Sequence, residues 1–402
     1  MGEILVDLRD AWAVREALRI VAPGVQWEAL ETSTGLGLAR VRLHGVAEAA
    51  AQLRSAGPAT SGDTATSGAI ATSGAGGIAG GPAADVDVVL AAVRGRSREA
   101  YHGWCPAVDR DRDDLEVETD PHVKIAIGDA EAVEPADGDR VPPGDPAGPR
   151  VGVADTVVFA HDDLAGRYLG RPHPRTVAPP TLGPGHSTFV AGTVLLRHPG
   201  AALVCRTVLV HGGPNLSWDV AQRLTAFADD GMDGGVDVLN LSFGWLVDGE
   251  PPLALARAVE RLAGRCVLVA AVGNHREGPE PTRPLYPAAF PAVLAVGASA
   301  PGTPGEPAPF TPRVPWLDVL APGTDVVGPF LVDEQHPTGY VRWSGSSFAA
   351  AAVSGEIARL MAVHREGPHA ARDRLLAGEV PDVVPWRAAE ALEPLTDAGP
   401  GS

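Results

Sequence analysis

The sequence predicts an α/β protein whose main domain is a parallel sheet with helices on both faces, preceded by a small α+β domain. From Arg150 onward, short continuous runs of Val, Leu and Ala alternate with stretches of helical spacing. Such runs are typical of strands buried on both faces, and their alternation with helices is typical of parallel sheets. Before residue 105, the patterns follow the ferredoxin-like order β-α-β-β-α-β.

The small domain is expected over residues 1–105. Its predicted strands and helices are, in chain order, Ile4–Leu8, Asp10–Val21, Val25–Thr32, Leu36–Leu43, Val46–Leu53 and Val86–Val93. Residues 57–84 interrupt this order with a repeated Ala-Thr-Ser-Gly and almost no bulky side chains. Because such a segment buries too little apolar area to offset the entropy lost on ordering, we expect a flexible insertion there.

Residues 106–149 are rich in Asp, Glu, Pro and Gly, a composition that indicates an exposed acidic linker. Val123–Ile127 has the pattern of a strand within it. The clustered carboxylates could bind Ca²⁺, but no EF-hand spacing is present, so a solvated linker is the favoured interpretation.

The main domain is expected over residues 150–395. Its predicted strands are Val151–Ala154, Ala202–Val210, Val236–Leu241, Cys266–Val272 and Val293–Gly297, and its predicted helices are His186–Leu196, Asp219–Ala228, Leu253–Leu262 and the segment that follows Ser347. In open α/β sheets of this kind, functional sites form at the carboxyl ends of the strands. The candidate residues for chemistry fall at such ends.

The charge of the chain limits its partners, since the formal net charge is -18 at pH 7. An acidic chain repels phosphate backbones and anionic lipids, which argues against nucleic-acid binding and membrane binding. The N-terminus lacks the pattern of a signal peptide, and no stretch reaches the roughly 18 apolar residues that span a bilayer. Cys105, Cys205 and Cys266 fit neither a disulfide framework nor a metal site. We therefore expect a cytoplasmic protein, with non-standard export left open.

The segment Gly345–Gly355 is the strongest candidate for chemistry, because two serines precede a run of alanines that favours a helix. Ser346 or Ser347 would lie at the helix N-terminus, where unpaired N–H groups and the helix dipole stabilise negative charge. A serine nucleophile needs that environment. Taken alone, the simpler interpretation is a serine that caps a buried helix.

Three further residues lie at expected strand ends or helix starts: Asp155, His186 and Asn274. Each alone could be an ordinary turn, cap or interior residue. Together with Ser347 they supply a complete set for acyl transfer. In this interpretation Asp155 orients His186, His186 takes the proton of Ser347, and Asn274 with a backbone N–H holds the oxyanion.

Nine blocks of the chain resemble those of subtilisin-like serine proteases, the subtilases, over roughly residues 150–365. The blocks are Val151–Thr156, His161–Leu164, Gly185–Gly192, Val238–Gly244, Ala270–Asn274, Tyr286–Ala289, Val293–Ala298, Leu320–Gly323 and Gly345–Gly355. The last block aligns Ser347, rather than Ser346, with the nucleophile. Four positions depart from the family pattern without removing a reactive group, namely Val157, Ser187, Phe348 and Ala351.

The resemblance implies a subtilisin-like fold and a serine endopeptidase that acts on peptides or proteins. The backbone of Leu241, Ser242, Phe243 and Gly244 is expected to pair with an extended substrate. Ala271, Val272 and Gly273 are expected to form a small apolar wall that favours an uncharged side chain before the cleaved bond. Ca²⁺ is a cofactor that the resemblance admits without a ligand set in the sequence.

The resemblance also gives residues 1–105 a meaning, since many subtilases carry a ferredoxin-like pro-domain that assists folding and blocks the cleft. We expect an inhibitory domain there, processed within 106–149, with an ordinary accessory domain as the alternative. Two other functions fit the sequence less well. A non-catalytic peptide-binding module would not need all four candidate residues. An α/β-hydrolase esterase would need Gly-x-Ser-x-Gly and a serine that precedes the acid and the histidine.

Overall fold

A computed structural model of the chain describes residues 2–56, 84–112, 127–169, 183–210, 215–228, 235–247, 249–277 and 281–386. The chain divides into two compact units, Met1–Arg112 and Asp113–Ser402. The insertion expected at 57–84, apart from Ala84, and the predicted strand Val123–Ile127, apart from Ile127, lie outside the described residues.

The first unit is a small α+β domain with a core of its own. Its elements are β1 (Gly2–Asp7), α1 (Ala11–Val21), β2 (Gln26–Ser33), β3 (Leu38–His44), α2 (Val46–Ala56), α3 (Asp85–Ala100) and β4 (Val108–Arg110). The strands form an antiparallel sheet in the order β2-β3-β1-β4. Alternate residues of β1 and β3 pack with all three helices in one hydrophobic core, so the predicted α+β organisation is confirmed.

The strand predicted at Val86–Val93 is wrong, because this segment belongs to helix α3. Its valine-rich composition favours a strand, but the buried positions Val89, Leu90, Val93 and Ser97 follow helical spacing. The last strand of the sheet is instead β4, which pairs with β1. The unit therefore extends past residue 105 to include this strand.

The second unit contains the remaining elements. They are β5 (Ile127–Ala132), β6 (Arg150–Asp155), β7 (Tyr168–Leu169), α4 (Gly183–Arg197), β8 (Ala202–Thr207), α5 (Ser217–Thr225), β9 (Val238–Leu241), β10 (Trp245–Leu246), α6 (Leu253–Ala263), β11 (Val267–Ala271), β12 (Leu285–Tyr286), β13 (Val293–Ala300), β14 (Thr303–Pro307), β15 (Val319–Pro322), β16 (Val326–Pro329), β17 (Tyr340–Ser344), α7 (Ser346–His364), α8 (Pro368–Leu376) and β18 (Val384–Pro385). Two short 3-10 turns lie at Asp137–Asp139 and Asp162–Leu164.

The central sheet of this unit is dominated by parallel strands, in the order β15-β13-β11-β9-β6-β8-β7. Strands β18 and β14 add antiparallel pairs to β15 and β13. The first strand of this sheet along the chain, β6, lies near its middle. The chain then forms β7 and β8 on one side of β6 and β9 on the other side, so the strand order reverses at β6. Ala154 and Ala270 both pair with Leu241, so β6, β9 and β11 end at the same level. Ligands bind at such a switch point in open α/β sheets.

Helices cover both faces of the sheet, as the sequence predicts. Val267, Val269 and Ala271 of β11 share a hydrophobic cluster with the buried side chains of α4 and α7. Neighbouring residues on a strand point to opposite faces. On the other face, the space above Gly152 of β6 is filled by Leu239 and by Phe227, which follows α5.

Helices α4 and α7 pack closely, and this contact fixes the two elements that carry the candidate histidine and serine. A Cβ atom at Gly355 of α7 would lie 2.6 Å from the carbonyl oxygen of Val194 in α4. Only glycine permits so close an approach. The small residues predicted after Ser347 therefore have a packing reason, since α7 is buried from Ser346 to Ile357.

A three-stranded antiparallel sheet, β16-β17-β5, leads directly into α7. Val341 pairs with Ala132 and Ser344 pairs with Ile127. Part of the stretch expected as an exposed linker is thus a strand, because the edge of β17 supplies its backbone partners. Asp163 fastens the same region, since its carboxylate accepts hydrogen bonds from Val141 N and from the hydroxyl of Tyr340.

Candidate active site

Asp155 and His186 form a buried pair at the carboxyl end of β6. His186 Nδ1 lies 2.9 Å from Asp155 Oδ2 and 3.1 Å from Oδ1. The side chain of Asp155 is 1% exposed and that of His186 is 5% exposed. Thr156 donates to Asp155 Oδ1 from its backbone N at 2.6 Å and from its hydroxyl at 3.1 Å. The carboxylate is therefore held on both sides, and it accepts the proton of Nδ1. This leaves Nε2 as the basic nitrogen of the imidazole.

The imidazole of His186 lies beside the start of α7. Its ring centroid is 5.7 Å from that of Phe348 and 5.8 Å from that of Trp343. Phe348 directly follows Ser347, and Trp343 lies four residues before it in β17. The ring centroid of Phe189 is 4.4 Å from that of Phe348. Nε2 is buried and has no hydrogen-bond partner within the part of the chain that the structure describes.

Ser347 is the second residue of α7 and is 1% exposed. Its hydroxyl makes a long hydrogen bond of 3.4 Å to the carbonyl oxygen of Ser242. Gly345 precedes the helix in an extended conformation and gives no side-chain cap. The serine thus occupies the helix N-terminus that the sequence predicts, with the positive end of the helix dipole beneath its hydroxyl.

Asn274 lies in the loop after β11, next to the same helix N-terminus. Its Oδ1 accepts a hydrogen bond of 2.9 Å from Ser346 N. Gly273 N donates to Ser346 Oγ at 3.2 Å, so two bonds join the loop to the first residue of α7. Because Oδ1 is engaged with the backbone, the amide is oriented with its Nδ2 donors directed away from Ser346 N.

Gly273 has a φ of 99°, a backbone conformation that residues other than glycine rarely adopt. A Cβ atom there would also lie 2.6 Å from Nδ1 of His275. His275 itself is buried, and burial lowers its pKa to about 4. The imidazole that follows Asn274 is therefore neutral at pH 7, so it adds no charge to the loop.

The residues expected to bind substrate lie at the ends of β9 and β11. Leu241 ends β9, and Ser242, Phe243 and Gly244 continue beyond it. The side chains of Ala271 and Val272 pack in hydrophobic clusters of the core, so only the backbone of these two residues can face a substrate.

Thr156 and Trp343 were missed as functional residues by the sequence analysis, and Ser346 was considered there only as an alternative nucleophile. Thr156 holds the carboxylate of Asp155, Ser346 binds the loop of Asn274, and Trp343 packs on His186. Position next to a candidate residue was the signal for the first two. Trp343 gave no signal, because a tryptophan in an apolar run is usually a core residue.

Other site classes gain no support from the described residues. Among them, no group of three or more His, Cys, Asp or Glu side chains could hold a metal ion, so no residue is assigned to Ca²⁺. No helix of the described segments is long and apolar enough to cross a membrane.

Comparison with known proteins agrees with this geometry. The sequence pattern of the subtilase family matches residues 146–379. Subtilisin-like protease 1 of Trichophyton tonsurans is 29% identical over 242 residues, which cover 58% of this chain and 45% of that protein. Subtilisin of Bacillus pumilus is 29% identical over 240 residues, which cover 56% of this chain and 82% of that protein. The chain thus spans about half the length of the first relative.

A similar solved structure is the prenylagaramide maturation protease PagA, with 28% identity and a TM-score of 0.48, covering 59% of this chain and 84% of that one. The family match includes the parallel sheet, α4, α7 and all four candidate residues. It covers 234 of the 402 residues. The subtilisin-like fold predicted from the sequence is confirmed, and the chain belongs to the subtilase family.

Proposed function

We propose that this chain is a serine endopeptidase that hydrolyses peptide bonds through an acyl-enzyme on Ser347. The observation that carries the proposal is the buried pair of Asp155 and His186 at the N-terminus of α7. One nitrogen of the imidazole is engaged by the carboxylate. The other is a buried base without a partner among the described residues, and its ring lies 5.7 Å from that of Phe348, the residue after Ser347. We infer that this nitrogen activates the hydroxyl of Ser347.

The proposed reaction begins when Ser347 Oγ attacks the carbonyl carbon of the substrate and passes its proton to His186 Nε2. The carbonyl oxygen becomes an oxyanion, which accepts hydrogen bonds from Asn274 Nδ2 and from the backbone N–H of Ser347. His186 then gives the proton to the leaving amine, and the C–N bond breaks. Water, activated by the same imidazole, hydrolyses the ester and restores Ser347.

Asp155 stabilises the imidazolium that forms during this sequence and fixes its tautomer. Substrate backbone would pair with Ser242, Phe243 and Gly244 beyond the end of β9, as an added strand. Leu241, which was expected to take part, already has β6 and β11 as neighbours on its two sides. We expect an uncharged residue before the cleaved bond, because the backbone of Ala271, Val272 and Gly273 offers no charged side chain.

Replacing Asn274 with Ala is expected to lower kcat by two to three decades while the fold is retained. Removal of one oxyanion donor raises the barrier by about 3–4 kcal/mol. The Michaelis constant should change little, since the amide acts on the oxyanion rather than on the bound ground state. Hydrolysis of a chromogenic peptide checks this, and unchanged turnover would remove Asn274 from the mechanism.

We also propose that the N-terminal unit, residues 1–105 in the sequence-based division, restrains the protease and is cleaved from it within 106–149. Its own hydrophobic core and the sheet order β2-β3-β1-β4 support a separate folding domain of the expected kind. The sequence-based division places the catalytic domain at residues 150–395, and the pairing of β5 with β17 would extend it to include Ile127–Ala132. The intracellular location expected from the sequence stays a prediction.

Intact mass followed over time tests this restraint. Wild-type protein should lose mass in one step as its N-terminal unit is released, and the rate of peptide hydrolysis should rise with the same half-time. Ser347→Ala protein should keep its full mass, because the cleavage depends on its own nucleophile. Full peptidase activity in protein that retains its N-terminus would contradict the proposal.

A second candidate is a peptide-binding module that keeps the cleft without chemistry. A fluorophosphonate probe separates the two, because it forms an adduct only with an activated serine. Labelling at Ser347 supports the endopeptidase, and binding of peptides without labelling supports the module.

A further inference from the structure

A network of buried polar side chains joins the end of β9 to helix α7. Its members are Asn240, Ser242 and Ser354, each with 0% exposure. Polar groups at such depth are unfavourable unless every one is hydrogen-bonded. Asn240 is the one polar residue of strand β9, Val238–Leu241.

The hydrogen bonds run in one direction toward the candidate nucleophile. Ser354 Oγ lies 3.2 Å from Asn240 Oδ1, and Asn240 Nδ2 donates to Ser242 Oγ at 2.8 Å. Ser242 Oγ in turn donates to the carbonyl oxygen of Ser347 at 2.9 Å. The Ser242 hydroxyl accepts one bond and donates the next, an arrangement in which neighbouring bonds strengthen one another. The single hydrogen of the Ser354 hydroxyl is shared between Asn240 Oδ1 and Ala350 O.

The two contacts with α7 lie on the same face of the helix. Ser347 and Ser354 are seven residues apart, which is about two turns. One contact is made by a backbone carbonyl and the other by a side chain, which also lies 2.9 Å from Ala350 O in its own helix. Attachment at two levels resists both sliding of α7 along its axis and rotation about it.

Ser242 meets Ser347 twice, and both contacts bear on the reacting oxygen. Its hydroxyl holds the carbonyl of Ser347, while its own carbonyl lies 3.4 Å from Ser347 Oγ. We propose that Ser242 is a positioning residue for Ser347, and that Asn240 and Ser354 hold the Ser242 hydroxyl on the Ser347 carbonyl. This inference rests on the proposed endopeptidase function.

A fixed position for Ser347 matters because nucleophilic attack tolerates little displacement of the reacting atoms. A displacement of about 1 Å at the reacting atoms can lower a rate by about 100-fold. Ser347 Oγ is two bonds from a Cα whose place is set by the first turn of α7. Fixing that turn against β9, next to the proposed substrate strand, fixes the oxygen relative to the carbonyl that it attacks.

The test is the second-order rate of fluorophosphonate labelling, measured across pH for wild type, Ser242→Ala, Asn240→Ala and Ser354→Ala. We expect Ser242→Ala to lower the plateau by about 10- to 100-fold. Ser354→Ala, at the far end of the network, should lower it by about 3- to 10-fold. The midpoint of the pH profile should stay at the wild-type value, because the contact of Asp155 with His186 is unchanged. Asn240→Ala should fall between the two.

Thr193→Val is the matched control for Ser354→Ala. The Thr193 hydroxyl donates to Phe189 O four residues earlier in α4, and it lies two turns after His186 as Ser354 lies two turns after Ser347. Both changes remove a buried hydroxyl bound to its own helix, but only Ser354 also contacts Asn240. Thr193→Val should therefore keep the wild-type labelling rate, while its melting temperature reports how much the loss of a buried hydroxyl alone destabilises a helix of this domain.

Labelling of Ser242→Ala and Ser354→Ala at the wild-type rate would overturn the positioning role and leave the proposed function intact. Equal losses in Thr193→Val and Ser354→Ala would also overturn it, because they would reflect general stability. Should Ser242→Ala or Asn240→Ala fail to fold, the comparison of Ser354→Ala with Thr193→Val decides alone. A wild type that is not labelled at all would overturn the proposed function itself, and this inference with it.

Discussion

Replacing Ser347 with Ala is expected to lower kcat for peptide hydrolysis by about 10⁶-fold, the loss known for the nucleophile of subtilisin, and to abolish fluorophosphonate labelling. The hydroxyl of Ser347 is the group that forms the proposed covalent intermediate. The residual rate should come from the oxyanion donors and from substrate binding. Stability should change little, because alanine is a good helix former and Ser347 lies in the first turn of α7.

Ser346→Ala is the control, because it removes the neighbouring hydroxyl from the same helix turn. Ser346 Oγ accepts a hydrogen bond from Gly273 N and has no part in the proposed covalent step. Its loss should lower the labelling rate by about tenfold or less, the size of one lost hydrogen bond, and leave the adduct on Ser347. Peptide mapping of the labelled protein checks this, and an adduct on Ser346 would reverse the assignment.

Asp155→Asn is expected to lower kcat by about 10⁴-fold without unfolding the protein. The Thr156 backbone N–H and hydroxyl both donate to Oδ1, so the amide oxygen of the asparagine must take that place. The amide NH₂ then occupies the position of Oδ2, which lies 2.9 Å from His186 Nδ1. It donates to Nδ1 and moves the imidazole proton to Nε2. The nitrogen that should accept the proton of Ser347 is thereby blocked.

Asp237→Asn offers a matched comparison at the opposite end of β6. Its Oδ2 accepts a hydrogen bond of 2.7 Å from Arg150 N, the first residue of the strand. An asparagine oxygen can make the same bond, so kcat should stay within a few-fold of wild type. Steady-state hydrolysis of one chromogenic peptide by both variants measures the difference, and similar losses in the two would remove Asp155 from its proposed role.

The sequence was most informative where strands are buried on both faces. Continuous apolar runs predicted β6, β9, β11 and β13, and polar residues directly after them predicted the place of the site. The sequence was less informative where a segment takes its structure from contacts with distant segments. Val86–Val93 favoured a strand by composition, while packing on β1 and β3 requires a helix there. Strand β5 exists because β17 provides its hydrogen bonds, which no local pattern reveals.

The sequence was least informative about which residues of the candidate site contact one another. Asp155, His186 and Ser347 were predicted as one constellation, and the structure brings the first two into direct contact. Phe348, the residue after Ser347, packs near the imidazole. The connection of Asn240 with Ser354 joins residues 114 positions apart. An asparagine in an apolar strand and a serine in an alanine-rich helix are separate irregularities in the sequence. Only the register of β9 against α7 makes them neighbours.

Strand β5, Ile127–Ala132, limits where the proposed cleavage within 106–149 can occur. Its backbone is hydrogen-bonded to the segment that runs straight into Gly345, so removing it would strip a partner from the residues just ahead of the nucleophile. A productive cut should therefore spare this strand, and the new N-terminus should begin at or before Ile127. Removal of β5 would leave β17 without this partner just ahead of Ser347, so we expect it to lower the activity of the proposed protease.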